Sequence, residues 1–271
     1  DSVSFATTSQ DTNPRKLSFN TDGTKMYIFG TTTNTVYQYS LSTAFDLSTT
    51  SYDSVSFNAA SQSTNPKGLT FNSDGTKMYL GGGTVFYQYS LSTAFDLSTT
   101  SYDSVSFSVS SQESSDAPDL TFNNDGTKMY VVGATNDSVY QYSLSTAFDL
   151  STTSYDSVSF SFATQNTSTT DVTFNADGTK LFLSGASSGD SIYQYGLSTP
   201  YDISTMSYDN TSFYVGTQSG DPSSIVFNNL GTKMYVLDSS NDTVFQYSTV
   251  AYTQTLDLST GSYFSFTPSG A

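Results

Sequence analysis

A chain of 271 residues with 24 acidic and 8 basic side chains carries a formal net charge of -16, which repels phosphate backbones and anionic bilayers and argues against nucleic acid or membrane as a partner. Cysteine, histidine and tryptophan are absent, which excludes a disulfide framework, a zinc-thiolate site, a cysteine nucleophile and a Ser-His-Asp triad. The 21 tyrosines and 20 phenylalanines supply the bulk of a sizeable core, and no apolar run is long enough to span a bilayer.

The chain opens on Asp1 with no signal-like start, which points to a trimmed or processed piece of a larger polypeptide or virion. Its first segment, DSVSFA over residues 1–6, reads as an outer strand with nothing before it to pair with. Four strands follow, at Arg15 to Asn20, Lys25 to Gly30, Thr35 to Leu41 and Asp53 to Asn58, rich in Tyr, Phe, Val and Ile and separated by turn residues. The first two are joined by Asn20-Thr21-Asp22-Gly23-Thr24, where Asp and Asn cap and glycine accepts a positive φ, the chemistry of a hairpin turn. Between the third and fourth lies SLSTAFDLSTTSY, in which Phe45 and Leu47 are expected to tuck under the sheet while Asp46 caps a local turn.

This unit then repeats. The 21 residues YQYSLSTAFDLSTTSYDSVSF recur letter for letter at 37–57, 87–107 and 140–160, with a degraded copy at 193–213 and a fifth that begins FQYS at Phe245 and diverges. The glycines of the preceding FN-x-DGTK turn, Gly23, Gly75, Gly126, Gly178 and Gly231, are spaced by 52, 51, 52 and 53 residues. A β-rich period of that size is one propeller blade. The sequence therefore predicts an all-β protein: one five-bladed β-propeller domain over 1–271, each blade a four-stranded antiparallel sheet. Its blades run about 14–58, 66–109, 118–162, 170–215 and 222–266, with 1–6 as a closing strand. Tyr263-Phe264-Ser265-Phe266 also resembles a closing strand, and the sequence does not choose between the two.

With strands named A to D from the axis outward, the A–B and C–D connections leave one face and the D–A and B–C connections the other. The first face is nearly invariant, carrying the DGTK lysines and the Asp46, Asp96, Asp149, Asp202 and Asp257 series. The second varies. Its lead-in segments to strand A read QDTNPRKL, QSTNPKGL, QESSDAPDL, QNTSTTDV and QSGDPSSI. The cations outside the DGTK series, Arg15, Lys16 and Lys67, fall in the first two of these. Glu113, Asp116, Asp119, Asp171 and Asp221 fall in the other three, which predicts a channel mouth split by charge.

The DGTKMYV string, beside a P-x-x-L-x-F strand, resembles the YVTN and NHL type of propeller repeat. The whole unit with its VYQYSLSTAFDLSTTSYD tail is similar to DGTKMYV repeats of marine bacteria and their phages, some in structural or fibre proteins. The resemblance covers essentially the entire chain and implies the propeller fold and a secreted or viral setting; it carries no functional residue with it. Five blades also match the architecture of certain glycoside hydrolases and invertebrate lectins, by analogy alone.

The chemistry open to such a chain is that of carboxylates. Asp119 and Asp171 begin equivalent strands of adjacent blades, and sheets about 10 Å apart set a gap near that of an inverting glycosidase, with Glu113, the only glutamate, as a general acid. Asp116, Asp119 and Asp171 are hard oxygen ligands of the kind Ca2+ takes; no other cofactor is implied. Against catalysis stand the missing histidine and tryptophan. The favoured reading is a non-enzymatic binding or structural module of the extracellular space or a virion surface, meeting a cell-surface glycan or a protein through Arg15, Lys16, Lys67, Asp116, Asp119, Asp171 and Asp221. The alternative is a carboxylate-dependent glycoside hydrolase.

Overall fold

The structure is a computed structural model and describes residues 2–63, 67–185 and 189–249. It is all-β. The first blade comprises β2 (Pro14–Phe19), β3 (Lys25–Gly30), β4 (Thr35–Leu41) and β5 (Thr50–Asn58); the second β6 (Gly68–Phe71), β7 (Lys77–Gly82), β8 (Val85–Leu91) and β9 (Thr100–Ser108). The third comprises β10 (Asp119–Phe122), β11 (Lys128–Gly133), β12 (Ser138–Leu144) and β13 (Thr153–Ser161); the fourth β14 (Thr169–Phe174), β15 (Lys180–Gly185), β16 (Ser191–Leu197) and β17 (Met206–Tyr214). In the fifth, β18 (Pro222–Phe227), β19 (Lys233–Asp238) and β20 (Thr243–Ser248) are completed by β1 (Ser4–Ala6), whose Phe5 pairs with Val244.

The N-terminal strand therefore holds the closing position; Tyr263 to Phe266 lie outside the described residues. The five A strands touch in a closed ring, β2–β6–β10–β14–β18 and back to β2. Among the described residues the only helices are four single 3-10 turns, and none is long and apolar enough to cross a membrane. The D strands begin three residues earlier than the sequence suggests, at Thr50 rather than Asp53, because the chain pairs with strand C as soon as it leaves the 3-10 turn. A bulge after Gln38, with Ser54 at φ 59, then restores the in-out alternation.

Hydrogen bonds between blades explain the near-identity of the 21-residue block. Phe45, Phe95, Phe148 and Tyr201 stand at φ of 58 to 61, an uncommon conformation for an aromatic residue. Each ring covers the glycine of its own A–B turn, and its carbonyl accepts the hydroxyl of a buried tyrosine in the preceding blade. Tyr27 donates to Phe95, Tyr79 to Phe148, Tyr130 to Tyr201 and Tyr235 to Phe45. The Asp that follows caps the 3-10 turn, as Asp46 Oδ1 does by accepting the Ser48 N–H.

Gln38, Gln88 and Gln141 extend the same logic. Each accepts a backbone N–H of the next blade, from Leu97, Leu150 and Ile203 at 3.0, 2.9 and 3.2 Å. Each gives its amide N–H to an aspartate, Asp53, Asp103 or Asp156, that also holds the DGTK lysine of its own blade. A buried amide so placed has both ends satisfied, which is the condition for burying it at all.

Candidate functional site

The A strands converge on the axis, where equivalent positions form rings. One ring is Lys16, Gly68, Asp119, Asp171 and Ser224, each beginning the well-paired part of its strand. Lys16, 6% exposed, reaches across the ring to Asp119 Oδ2 at 2.7 Å and to Asp171 Oδ1. The other oxygen of Asp171 accepts from Ser224 Oγ at 2.7 Å and from the Ile225 N–H at 2.6 Å. Asp119 Oδ1 is buried without a hydrogen-bond partner among the described residues and lies 3.0 Å from where a Cβ on Gly68 would be.

Burial opposes the charge on Lys16, but the attraction and hydrogen bonds of the two aspartates outweigh it and hold its pKa above the ordinary lysine value. Burial also pushes the Asp119 carboxyl well above the usual carboxylate range; the pull of Lys16 opposes this and the neighbouring Asp171 charge adds to it. The cluster reads as a lysine bridging Asp171, which accepts bonds on both oxygens, and an Asp119 whose burial resists ionisation.

The sequence predicts opposed charges facing each other across an open mouth, and the structure shows them joined. The physical reason is convergence. Five A strands pinch together at the axis, so side chains 103 and 155 residues apart touch. Sharing one ammonium also places the two carboxylates within about two hydrogen-bond lengths, roughly 6 Å, rather than at the separation of two stacked sheets. The room that an inverting glycosidase keeps for its water is thereby taken up by Lys16.

Glu113 is bonded to the backbone around it. Its carboxylate accepts backbone N–H groups of Ser115, Asp116 and Asn136, the last from the B–C turn of its own blade. Burial alone would raise its pKa, but these bonds and that of the Thr135 hydroxyl hold it below the ordinary glutamate value. Asp116 is bridged by Lys67 at 2.7 Å, and Asp221 accepts the Ser239 hydroxyl. Arg15 is half-buried and makes no ion pair among the described residues. Among those residues, too, no three acidic side chains converge as a metal-ligand group; Asp116, Asp119 and Asp171 are divided between two lysines.

Sequence reading missed a second set of residues on this face. Asp11 caps the first B–C turn through the N–H groups of Thr32 and Thr33, filling space beside Gly30 where a Cβ would come within 2.1 Å. Glu113 does the same beside Gly133, and Asn166 fills the equivalent space beside Gly185. In the fifth blade the pattern inverts: Asp238 occupies the glycine position and caps from there, receiving the Gly220, Ser240 and Asn241 N–H groups. The signal was present as a large polar residue after the lead-in glutamine, paired with a glycine ending strand B.

Below the Lys16 ring, the channel widens into a cavity of about 190 Å3 that runs toward the DGTK face. Ser18, Thr70, Thr121 and Thr173 line it, Lys16 closes its inner end, and Asn20 and Asn229 frame its outer end.

Neither a family model nor a curated protein matches the chain. Solved structures match its fold. The β-propeller domain of Cps50 (Swd1) from Myceliophteria thermophila aligns over 92% of this chain and 100% of its own, with a TM-score of 0.54 at 10% identity. A 6-phosphogluconolactonase candidate from Bacteroides uniformis aligns over 86% of this chain and 65% of its own, with a TM-score of 0.50 at 14% identity. A protein of unknown function from Desulfotomaculum acetoxidans aligns over 83% and 62%, with a TM-score of 0.49 at 13% identity. The chain spans less than two thirds of the last two. Likeness at these identities is likeness of fold, and the fold is a five-bladed β-propeller.

Proposed function

We propose that this propeller is a non-enzymatic binding or structural module of an extracellular or virion surface, and that it meets a glycan or protein partner through the face on which its blades differ. One observation carries the reading. The three acids that a hydrolase would recruit are already employed in holding the fold: Asp119 and Asp171 on Lys16, and Glu113 on backbone N–H groups. A general acid or base needs an accessible proton and a substrate within hydrogen-bond reach, and a buried ion cluster offers neither. What remains for a partner is the half-buried rim of Arg15, Lys67, Asp116 and Asp221 and the exposed turns beside it. Lys16, Asp119 and Asp171, grouped with these by sequence, serve as the brace beneath them.

The resemblance to marine and phage repeats and the acidic, serine- and threonine-rich surface support the exterior setting. The test is a turnover screen of marine polysaccharides and aryl glycosides with the intact protein and with Asp119→Asn and Asp171→Asn. The expected result is no cleavage by any of the three. Reproducible hydrolysis lowered by 10²-fold or more in either variant, the scale of lost acid-base catalysis, would overturn the proposal in favour of the hydrolase reading.

A further inference from the structure

Among the described residues, the interface between the fourth and fifth blades lacks the wedge found at the other four. At each of those four, a 3-10 turn from one blade lies against the D strand of the blade before it, and Leu47, Leu97, Leu150 or Ile203 is buried there. The aromatic residue two positions earlier covers a glycine: a Cβ on Gly23, Gly75, Gly126 or Gly178 would come within 2.2 or 2.3 Å of the ring. At Gly231, the fifth of the series, no described atom lies within 4 Å of that point. The described residues leave a groove of about 660 Å3 there, lined by Phe182, Phe213, Phe227, Met234, Gln194 and Thr211. Phe213 is 49% exposed and Leu230, beside the vacant glycine, 83% exposed.

We infer that this groove is the seat of the chain's own segment Leu256-Asp257-Leu258-Ser259-Thr260. In that segment the repeat's pattern returns after an insertion of three residues, Leu256 standing where Phe45 stands, Asp257 at the capping position and Leu258 at the position of the buried Leu47. The last described residue, Thr249, donates its N–H to the Thr232 carbonyl just as Leu41, Leu91, Leu144 and Leu197 bond the DGTK threonines of their blades, so the chain leaves the fifth blade in the same direction. Thr249 itself lines the groove. Six residues lie between it and Leu256, and the seven steps allow a reach of about 23 Å.

The groove supplies most of the same contacts. Gln194 gives its amide N–H to Asp209 at 2.8 Å, as Gln38 does to Asp53, which aims its carbonyl oxygen to accept the Leu258 N–H as Gln38 accepts that of Leu97. Two contacts are lost. Phe182 has no hydroxyl where Tyr27, Tyr79, Tyr130 and Tyr235 each donate to a loop carbonyl. Thr211, opposite Gln194, stands where Val55, Val105 and Val158 stand in the first three blades. This seat therefore grips its segment less strongly than its four counterparts grip theirs.

The chain has no cysteine, so an engineered pair reports without background. Thr211→Cys with Leu258→Cys, in the full chain under mild oxidation, should form an intramolecular disulfide in the monomer. Thr12→Cys with Leu258→Cys, which pairs the segment with the opposite face, should not. A disulfide that links two chains at positions 211 and 258 would assign the groove to a second copy and overturn the inference; so would no disulfide, or equal formation in both pairs. Independently, Leu256→Asp with Leu258→Asp should raise binding of an apolar dye severalfold while far-ultraviolet circular dichroism is retained, and unchanged dye binding would count against the seat.

Discussion

Removing the lysine from the axial cluster would leave two carboxyls facing each other in a dry ring. Lys16→Met is expected to cost about 3–5 kcal/mol, the scale for a broken buried pair, and adding Asp119→Asn and Asp171→Asn should return much of it. Denaturant unfolding of the three proteins checks both. The pH dependence has a definite sign. The folded pKa of Asp119 lies above its unfolded value, so its contribution is present below the ordinary carboxyl range and is lost as pH rises through the folded pKa. That of Lys16, also raised, is present below 10.5 and lost only as pH rises past its folded value. Stability of Asp119→Asn should accordingly fall less between weakly acidic and neutral pH than that of the parent. At this scale the sequence shows which residues occupy the lead-in segments but not that Lys16 meets Asp119 and Asp171, because that contact depends on how closely five strands approach an axis.

The blade-to-blade link through Gln38, Gln88 and Gln141 is the account's claim about elements. Gln38→Leu keeps the bulk but leaves the Leu97 N–H without its acceptor and Asp53 with one donor fewer, and it should destabilise by about 1–3 kcal/mol in thermal or chemical unfolding. Burial would raise the pKa of Asp53, Asp103, Asp156 and Asp209, but hydrogen bonds and their lysines outweigh it and hold all four below 3.8. Their contribution is present above that value and drains away as pH falls through the folded pKa values, so this network opposes the trend set by Asp119.

Strands were legible in the sequence because apolar alternation and turn residues mark them locally. The 3-10 turn was legible through Asp46. The pairing of a capping acid with a glycine, as in Asp11 with Gly30, was not, since its members lie about twenty residues apart and meet only once the hairpin has formed. That pairing also means that part of the variation on this face is compensated packing, which narrows any partner's contact to the exposed turns and the rim.

At the scale of the whole molecule, closure rests on a three-residue strand. β1 covers the edge of β20 and brings Phe5 to within 5.3 Å of the Tyr39 ring in the first blade. Deleting residues 1–6 should remove about 2–3 kcal/mol for the burial of Phe5 alone, lowering Tm by about 2–4 °C for each kcal/mol, and should leave an unpaired edge that promotes association. Calorimetry and light scattering test this. Five blades were countable from the glycine spacing, whereas the choice of closing strand needed coordinates, because two segments carry similar outer-strand chemistry.

On the function proposed above, the two faces of the disc differ in kind, one holding the blades together and the other meeting a partner. The most direct measurement is binding to an array of surface glycans and to host-cell envelopes by two sets of variants with unchanged Tm. The first set, Arg15→Glu with Lys67→Glu, alters the variable rim; the second, Ala44→Lys with Ala94→Lys and Ala147→Lys, alters exposed positions on the DGTK face. The account predicts that the parent's binding falls at least tenfold in the first set and is retained in the second. Loss confined to the second set, or equal loss in both, would contradict it.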